Sequence, residues 1–171
     1  MIKSAYKNNY YGLAMQKLTL KKAPEGESGQ TLVEFALLLP LIVVVLLAIM
    51  EFGAMFYVNL TMQNAVRQGA RYAVTGQTQA GFSRRASLEN KIRFYSNGLY
   101  DKHPHTLTTS KVTPGSSTYT NLTGAQVGKG GDIIMVQLDY TWPLMTPVLK
   151  PFFRNNKYVF TVKATMANEL F

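Results

Sequence analysis

Hydrophobic and polar positions follow one another in long blocks along the N-terminal half of the chain. The stretch from Phe35 to Met50 contains no charged residue, and only Glu51 interrupts the apolar run before Arg67. As a helix, residues 32–60 would be roughly 40 Å long, which is enough to cross a hydrocarbon core of about 30 Å. The pattern predicts a single membrane-spanning helix.

Helical spacing continues beyond the apolar run, so residues 30–76 are predicted to form one long helix that ends at Gly76. Ala65, Gly69 and Ala73 recur every four residues and therefore lie on one face of that helix. Small side chains allow a close approach, which leaves two interpretations open. The face packs either against another helix or sheet, as in membrane helix pairs, or against the chain's own domain.

The spacing of apolar residues changes in the second half of the chain. Residues 82–99 have the apolar spacing of a short amphipathic helix, whereas 106–131 are rich in Thr, Ser and Gly and indicate short strands and turns. Apolar and polar residues alternate along 132–142 and 157–171, which is typical of half-buried strands. We therefore expect an α+β fold. A long N-terminal transmembrane helix continues into a small exported domain with a short helix and a mostly antiparallel sheet.

Composition limits the partners that the chain can have. Its 171 residues carry a formal net charge of +9, but the basic residues are dispersed, with adjacent pairs at 21–22 and 84–85. No zinc-ligand spacing, recognition-helix signature or aromatic RNA-binding motif accompanies them, so nucleic acid is not an expected partner. Dispersed positive charge is better suited to membrane lipid or another anionic surface. The absence of cysteine excludes disulfides and thiolate metal sites.

Candidate catalytic residues are few. His103 and His105, with Asp101 nearby, could ligate a metal only if further ligands joined them. The sequence contains no HExxH metal motif, nucleophile elbow or phosphate-binding loop. An exported hydrolase would rest on these two histidines alone, whereas an exposed polar loop explains them without further assumptions. We therefore expect no enzymatic activity, no metal and no cofactor.

Glu34 lies at the start of the apolar run, where an uncompensated charge is costly. Before it, residues 1–29 form a basic leader that closes with turn-forming residues. The stretch SGQTLVEFALLLP resembles the processing site of type IV pilins, in which a membrane peptidase cuts after a glycine and the fifth residue of the product is a glutamate. The resemblance implies a cut between Gly29 and Gln30, which makes Glu34 the fifth residue.

Over Gly29–Ala73 the sequence resembles a more specific family than type IV pilins in general. The opening VEFALLLP, the EFG in mid-helix and GARYA at the helix end are similar to the TadE-like minor pseudopilins of the Tad (Flp) pilus system, and the C-terminal ATMANE is similar to the family's ending. The family implies cleavage by a prepilin peptidase, assembly with other pilin or pseudopilin subunits and the Tad machinery, and attraction between Glu34 and the N-terminal amine of a neighbouring subunit. An exported domain far larger than the major subunit implies a minor role. If the protein is not a pilus subunit, Glu34 lies at the N-terminus of the helix, where the helix dipole favours its negative charge.

This interpretation divides the chain into a cytoplasmic leader (1–29), a transmembrane and extended helix (30–76) and an exported domain (77–171). Lysines in the leader favour a cytoplasmic N-terminus in the bacterial inner membrane, although Arg67 and Arg71 favour the opposite orientation. The alternative is an uncut single-pass membrane protein whose exported domain binds a partner or ligand. Neither interpretation identifies a partner for the carboxylate of Glu51, which follows the uncharged run.

Overall fold

The computed structural model describes residues 27–115 and 118–171, and its longest element is helix α1, Glu27–Val74. The helix ends just before Gly76, which takes a left-handed conformation with φ of +71°, a common helix terminator. None of the residues in the most apolar window of α1 is buried. The described chain therefore contains one helix that is long and apolar enough to cross a membrane.

A short second helix, α2, spans Arg84–Tyr95. Ser83 caps its start, because the Ser83 hydroxyl accepts a hydrogen bond from the Ala86 N–H at 3.2 Å. Asn97 and Gly98 have positive φ angles and prevent the helix from continuing. These caps make α2 shorter than the interval that periodicity alone predicts.

The remaining elements form a four-stranded antiparallel sheet in the order β2-β1-β3-β4. Its strands are β1 (His105–Val112), β2 (Tyr119–Asn121), β3 (Ile133–Pro143) and β4 (Lys157–Ala167). In the register, Leu138 of β3 lies between Leu107 of β1 and Val162 of β4. The predicted alternation of β3 is confirmed, since one face of the strand is buried at Ile134, Val136, Leu138, Tyr140 and Trp142.

The described chain divides within α1 after Ile42, and the hydrophobic core belongs to the unit that begins at Val43. The core brings together the C-terminal half of α1, helix α2 and one face of the sheet, and it includes Met62, Val66, Leu88, Ile92 and Val136. A buried hydrogen bond of 2.6 Å runs from the Tyr140 hydroxyl to the Leu99 carbonyl, which satisfies the polar tip of a core aromatic residue. The predicted α+β fold is confirmed.

The connection between β3 and β4, residues 144–156, is called the β3–β4 loop below. It contains two short 3-10 turns, Lys150–Phe152 and Arg154–Asn156. Pro147 and Pro151 lack the amide donor that a paired strand requires. A long irregular connection at this point agrees with the sequence.

Candidate functional site

Glu34 is exposed on α1, and its Oε1 accepts a hydrogen bond from Nε2 of Gln30 at 3.0 Å. The two residues are one helical turn apart, so their side chains lie on the same face. A carboxylate can accept several hydrogen bonds. The Glu34 carboxylate can therefore accept a hydrogen bond from a further donor that lies beside residue 30.

Gly29, the residue before the expected cut, lies in the first turn of α1, which begins at Glu27. A Cβ added at Gly29 would meet no atom within 4 Å. Amides in the first turn of a helix have no acceptor within that helix, and helix ends open at low free-energy cost. The Gly29–Gln30 bond thus lies in the first turn of α1, where opening has a low free-energy cost.

Glu51 is 3% exposed, and it is the carboxylate for which the sequence supplied no partner. Its oxygens accept hydrogen bonds from the Met145 N–H at 3.0 and 3.2 Å, from the Thr146 N–H at 2.9 Å and from the Thr146 hydroxyl at 2.5 Å. Such donors offset the cost of removing a carboxylate from water. Glu51 therefore fastens α1 to the β3–β4 loop.

The stripe of small residues on α1 is buried at Ala65, Gly69 and Ala73. A Cβ built on Gly69 would lie 2.6 Å from Cγ1 of Ile92 and 3.0 Å from Cδ1 of Leu88. Contacts that short require a displacement of the facing side chains. Helix α2 of the same chain is thus the element that approaches Gly69, which gives the stripe an intramolecular partner.

The adjacent arginines at 84 and 85 are engaged within the domain. Arg84 donates to the carbonyls of Ala73 and Gly128, both at 2.7 Å, so it satisfies a carbonyl at the end of α1. Arg85 donates to the carbonyls of Leu107 at 2.9 Å and Leu122 at 3.2 Å. Both guanidinium groups hold backbone segments together, a role for which sequence spacing gives no signal.

The two histidines lie against aromatic side chains. The His105 ring centroid is 4.0 Å from that of Tyr100, and the His103 ring centroid is 4.8 Å from that of Trp142. Partial burial, and to a smaller extent the Lys102 ammonium, lowers the pKa of His103. Among the residues that the structure describes, no three His, Cys, Asp or Glu side chains gather in an arrangement that could hold a metal ion.

The helix that carries Glu34 and Glu51 matches a known family. A family model described as TadE-like protein matches residues 29–71. The chain is TadE-like over this segment. The match begins at Gly29 and stays within α1, so it confirms the recognised resemblance to TadE-like proteins over this segment. No curated protein and no solved structure matches the chain at a significant level.

The TadE-like match does not include residues 72–171. The similarity of the C-terminal ATMANE to the family's ending lies beyond the matched residues. The leader residues before Glu27 lie outside the described part of the chain. Cleavage after Gly29 and the pairing of Glu34 with an amine stay predictions.

Proposed function

We propose that this TadE-like protein is a minor pseudopilin that α1 holds in the membrane until a prepilin peptidase cuts after Gly29. The mature subunit then takes part in assembly or display of a Tad-type adhesive pilus, in contact with other pilin or pseudopilin subunits and the Tad machinery. The observation that carries the proposal is the TadE-like match beginning at Gly29, on a helix whose apolar window is entirely unburied. Such a helix requires lipid around it before assembly and other apolar helices after it.

Glu34 supplies the chemistry of assembly in this proposal. Cleavage converts the backbone nitrogen of Gln30 into a charged amine. The side-chain Nε2 of the same residue already lies 3.0 Å from Oε1 of Glu34. The outward-facing carboxylate can receive the amine of a neighbouring subunit. In an apolar environment, each charge would offset the cost of burying the other.

The first experiment is mass spectrometry of the N-terminal peptide of the protein purified from its native membrane. We expect a peptide that begins at Gln30, with or without the loss of ammonia that accompanies cyclisation of an N-terminal glutamine. Gly29→Trp should retain the leader. Gly53→Trp is the matched control, because a Cβ at Gly53 also meets no atom within 4 Å, and this variant should be processed normally. A wild-type chain that still begins at Met1 would refute the proposal and favour the uncut single-pass protein.

A second experiment separates processing from assembly. Glu34→Ala and Glu34→Gln should still be cut at Gly29, because the bond itself is unchanged, but the subunit should be lost from sheared pili. Glu34→Asp keeps the charge on a shorter side chain and should retain part of the incorporation. Normal incorporation of Glu34→Ala, measured by immunoblot of the pilus fraction, would contradict the role of the carboxylate.

We also propose that the N-terminus faces the cytoplasm of a bacterial inner membrane and that the C-terminal domain is exported. Because the chain contains no cysteine, a single Tyr119→Cys variant reports the side on which β2 lies. Tyr119 is exposed, and it should react with a membrane-impermeant maleimide applied to the outer face. Reaction only after the cytoplasmic face is opened would reverse the orientation.

A further inference from the structure

The β3–β4 loop combines exposed apolar side chains with positive charge. Met145 is 70% exposed, Val148 44% and Phe152 80%. Residues 144–157 contain no acidic residue, while Lys150 and Arg154 of the loop and Lys157 at the start of β4 supply three cations. Binding to an anionic membrane surface grows with the apolar area that is buried and with the electrostatic attraction of basic residues to the lipid.

The contacts of Glu51 place this loop beside the end of the apolar run. Glu51 directly follows Met50, the last residue of the uncharged stretch, and it holds the backbone of Met145 and Thr146. The uncharged stretch is slightly shorter than the ~20 residues that span a hydrocarbon core. Residue 51 and the loop bonded to it therefore lie near the edge of that core.

Aromatic residues of α1 mark the same level. Phe52, Phe56 and Tyr57 follow Glu51 and are all exposed, and aromatic side chains are enriched at membrane–water interfaces. An apolar groove lined in part by Phe52, Phe56 and Phe153 connects this part of α1 with the loop. The exposed apolar surface is thus continuous from the membrane-spanning residues to the β3–β4 loop.

We propose that the β3–β4 loop is a second membrane contact, which rests on the lipid interface and binds anionic phospholipid. Met145, Val148 and Phe152 enter the boundary between headgroups and acyl chains, while the basic residues of the loop lie among the phosphate groups. Lipid is the occupant because the surface continues a lipid-facing helix and carries only positive charge. With α1 and the loop both in contact with the bilayer, the domain has a fixed orientation on the membrane. The proposal applies to cut and uncut chains alike.

The experiment uses the full chain in nanodiscs, with an environment-sensitive fluorophore on a single introduced cysteine. Val148→Cys and Phe152→Cys place the probe on the loop. Tyr119→Cys is the control, because Tyr119 pairs with Val112 and Val112 with Ile133, at the end of β3 away from the loop. In nanodiscs containing phosphatidylglycerol, we expect nitroxide-labelled lipids to quench the two loop probes several-fold more than the control probe.

Two results would overturn the proposal. Loop probes that are quenched no more than the control and emit as in water would place the loop in water. Blue-shifted loop emission without quenching would show that protein, such as a second copy, covers the loop instead of lipid.

Charge variants test the choice of anionic lipid. Arg154→Gln should weaken loop docking on phosphatidylglycerol nanodiscs by about fivefold, from the typical attraction of one basic residue to an anionic surface. Lys163→Gln is the matched control, since Lys163 is exposed within β4 and outside the loop. On phosphatidylcholine nanodiscs, Arg154→Gln should have no effect. Equal docking of the wild-type loop on the two lipids would overturn the anionic-lipid assignment.

Discussion

Removal of the Glu51 carboxylate should detach the β3–β4 loop from α1. In the folded domain its two oxygens accept from three donor groups, the N–H of Met145, the N–H of Thr146 and the Thr146 hydroxyl. Glu51→Ala removes all of these bonds and leaves the donors without their acceptor. Glu51→Gln keeps one carbonyl oxygen for the amides but places an NH₂ group where the charge was.

The magnitude follows from the number of donors and their access to water. A hydrogen bond to a charged group contributes about 1.5–3 kcal/mol, and an unsatisfied buried donor costs about 1–3 kcal/mol. Met145 is exposed, so water can replace part of what is lost. We therefore expect Glu51→Ala to lower the free energy of unfolding by about 3–4 kcal/mol, and Glu51→Gln by about 1–2 kcal/mol.

The assay is urea unfolding of the full chain in detergent micelles, followed by tryptophan fluorescence. Trp142 is the single tryptophan, it is buried, and it ends the buried face of β3 close to the loop. Glu34→Gln is the matched control, because Glu34 is an exposed carboxylate on the same helix and should change the unfolding free energy by less than about 0.5 kcal/mol. If Glu51→Ala changed the urea midpoint no more than this control, the Glu51 hydrogen bonds would not hold the loop.

Three further changes test other contacts. Gly69→Val should lower the free energy of unfolding by about 1–3 kcal/mol through overpacking, whereas Gly53→Ala should not lower it, because a Cβ there meets no atom within 4 Å. Urea unfolding midpoints measure the difference, and equal midpoints would contradict the close approach of α2. Arg85→Lys should cost about 2–3 kcal/mol, because a compact ammonium cannot reach the same carbonyls, and unchanged hydrogen-exchange protection of β1 would contradict this. The Lys111 ammonium, 2.6 Å from the Asp132 carboxylate, lowers the pKa of Asp132. The ion pair therefore contributes its full stabilisation of the fold above about pH 4, and this stabilisation is lost as the pH falls below that value. Acid unfolding of Asp132→Asn should lack this loss, and an unaltered acid profile would refute it.

Periodicity was sufficient to predict α1, α2, β3 and β4, whereas β1 and β2 were indicated only by the composition of residues 106–131. The uncharged run identified α1, and the alternation around Val136 and Leu138 identified both the strand and its buried face. The reason is physical, since a helix or strand that buries one side must repeat its apolar residues with its own period. The ends of α2 were less predictable, because Ser83 and Gly98 act through local backbone geometry.

Contacts between distant parts of the chain were not predictable from spacing. Glu51 and Thr146 are 95 residues apart, and nothing in either segment names the other. Arg85 similarly binds carbonyls of Leu107 and Leu122, whose positions depend on the pairing of β1 with β2 and on the packing of α2. Backbone groups carry no residue-specific signal, so side chains that bind them become identifiable only when the fold is known.

Glu34 and Glu51 look alike in the sequence, because each adjoins the same apolar run without a basic neighbour. In the structure they differ: Glu51 is buried with three donor groups of its own chain, whereas Glu34 is exposed beside the neutral amide of Gln30. A carboxylate already bound to internal donors is released only at the cost of those bonds. The amine of another subunit therefore belongs with Glu34 in the proposed assembly, and Glu51 belongs to the fold. Glu51→Gln should lower stability and leave N-terminal processing intact, while Glu34→Gln should leave stability intact and impair incorporation into the pilus.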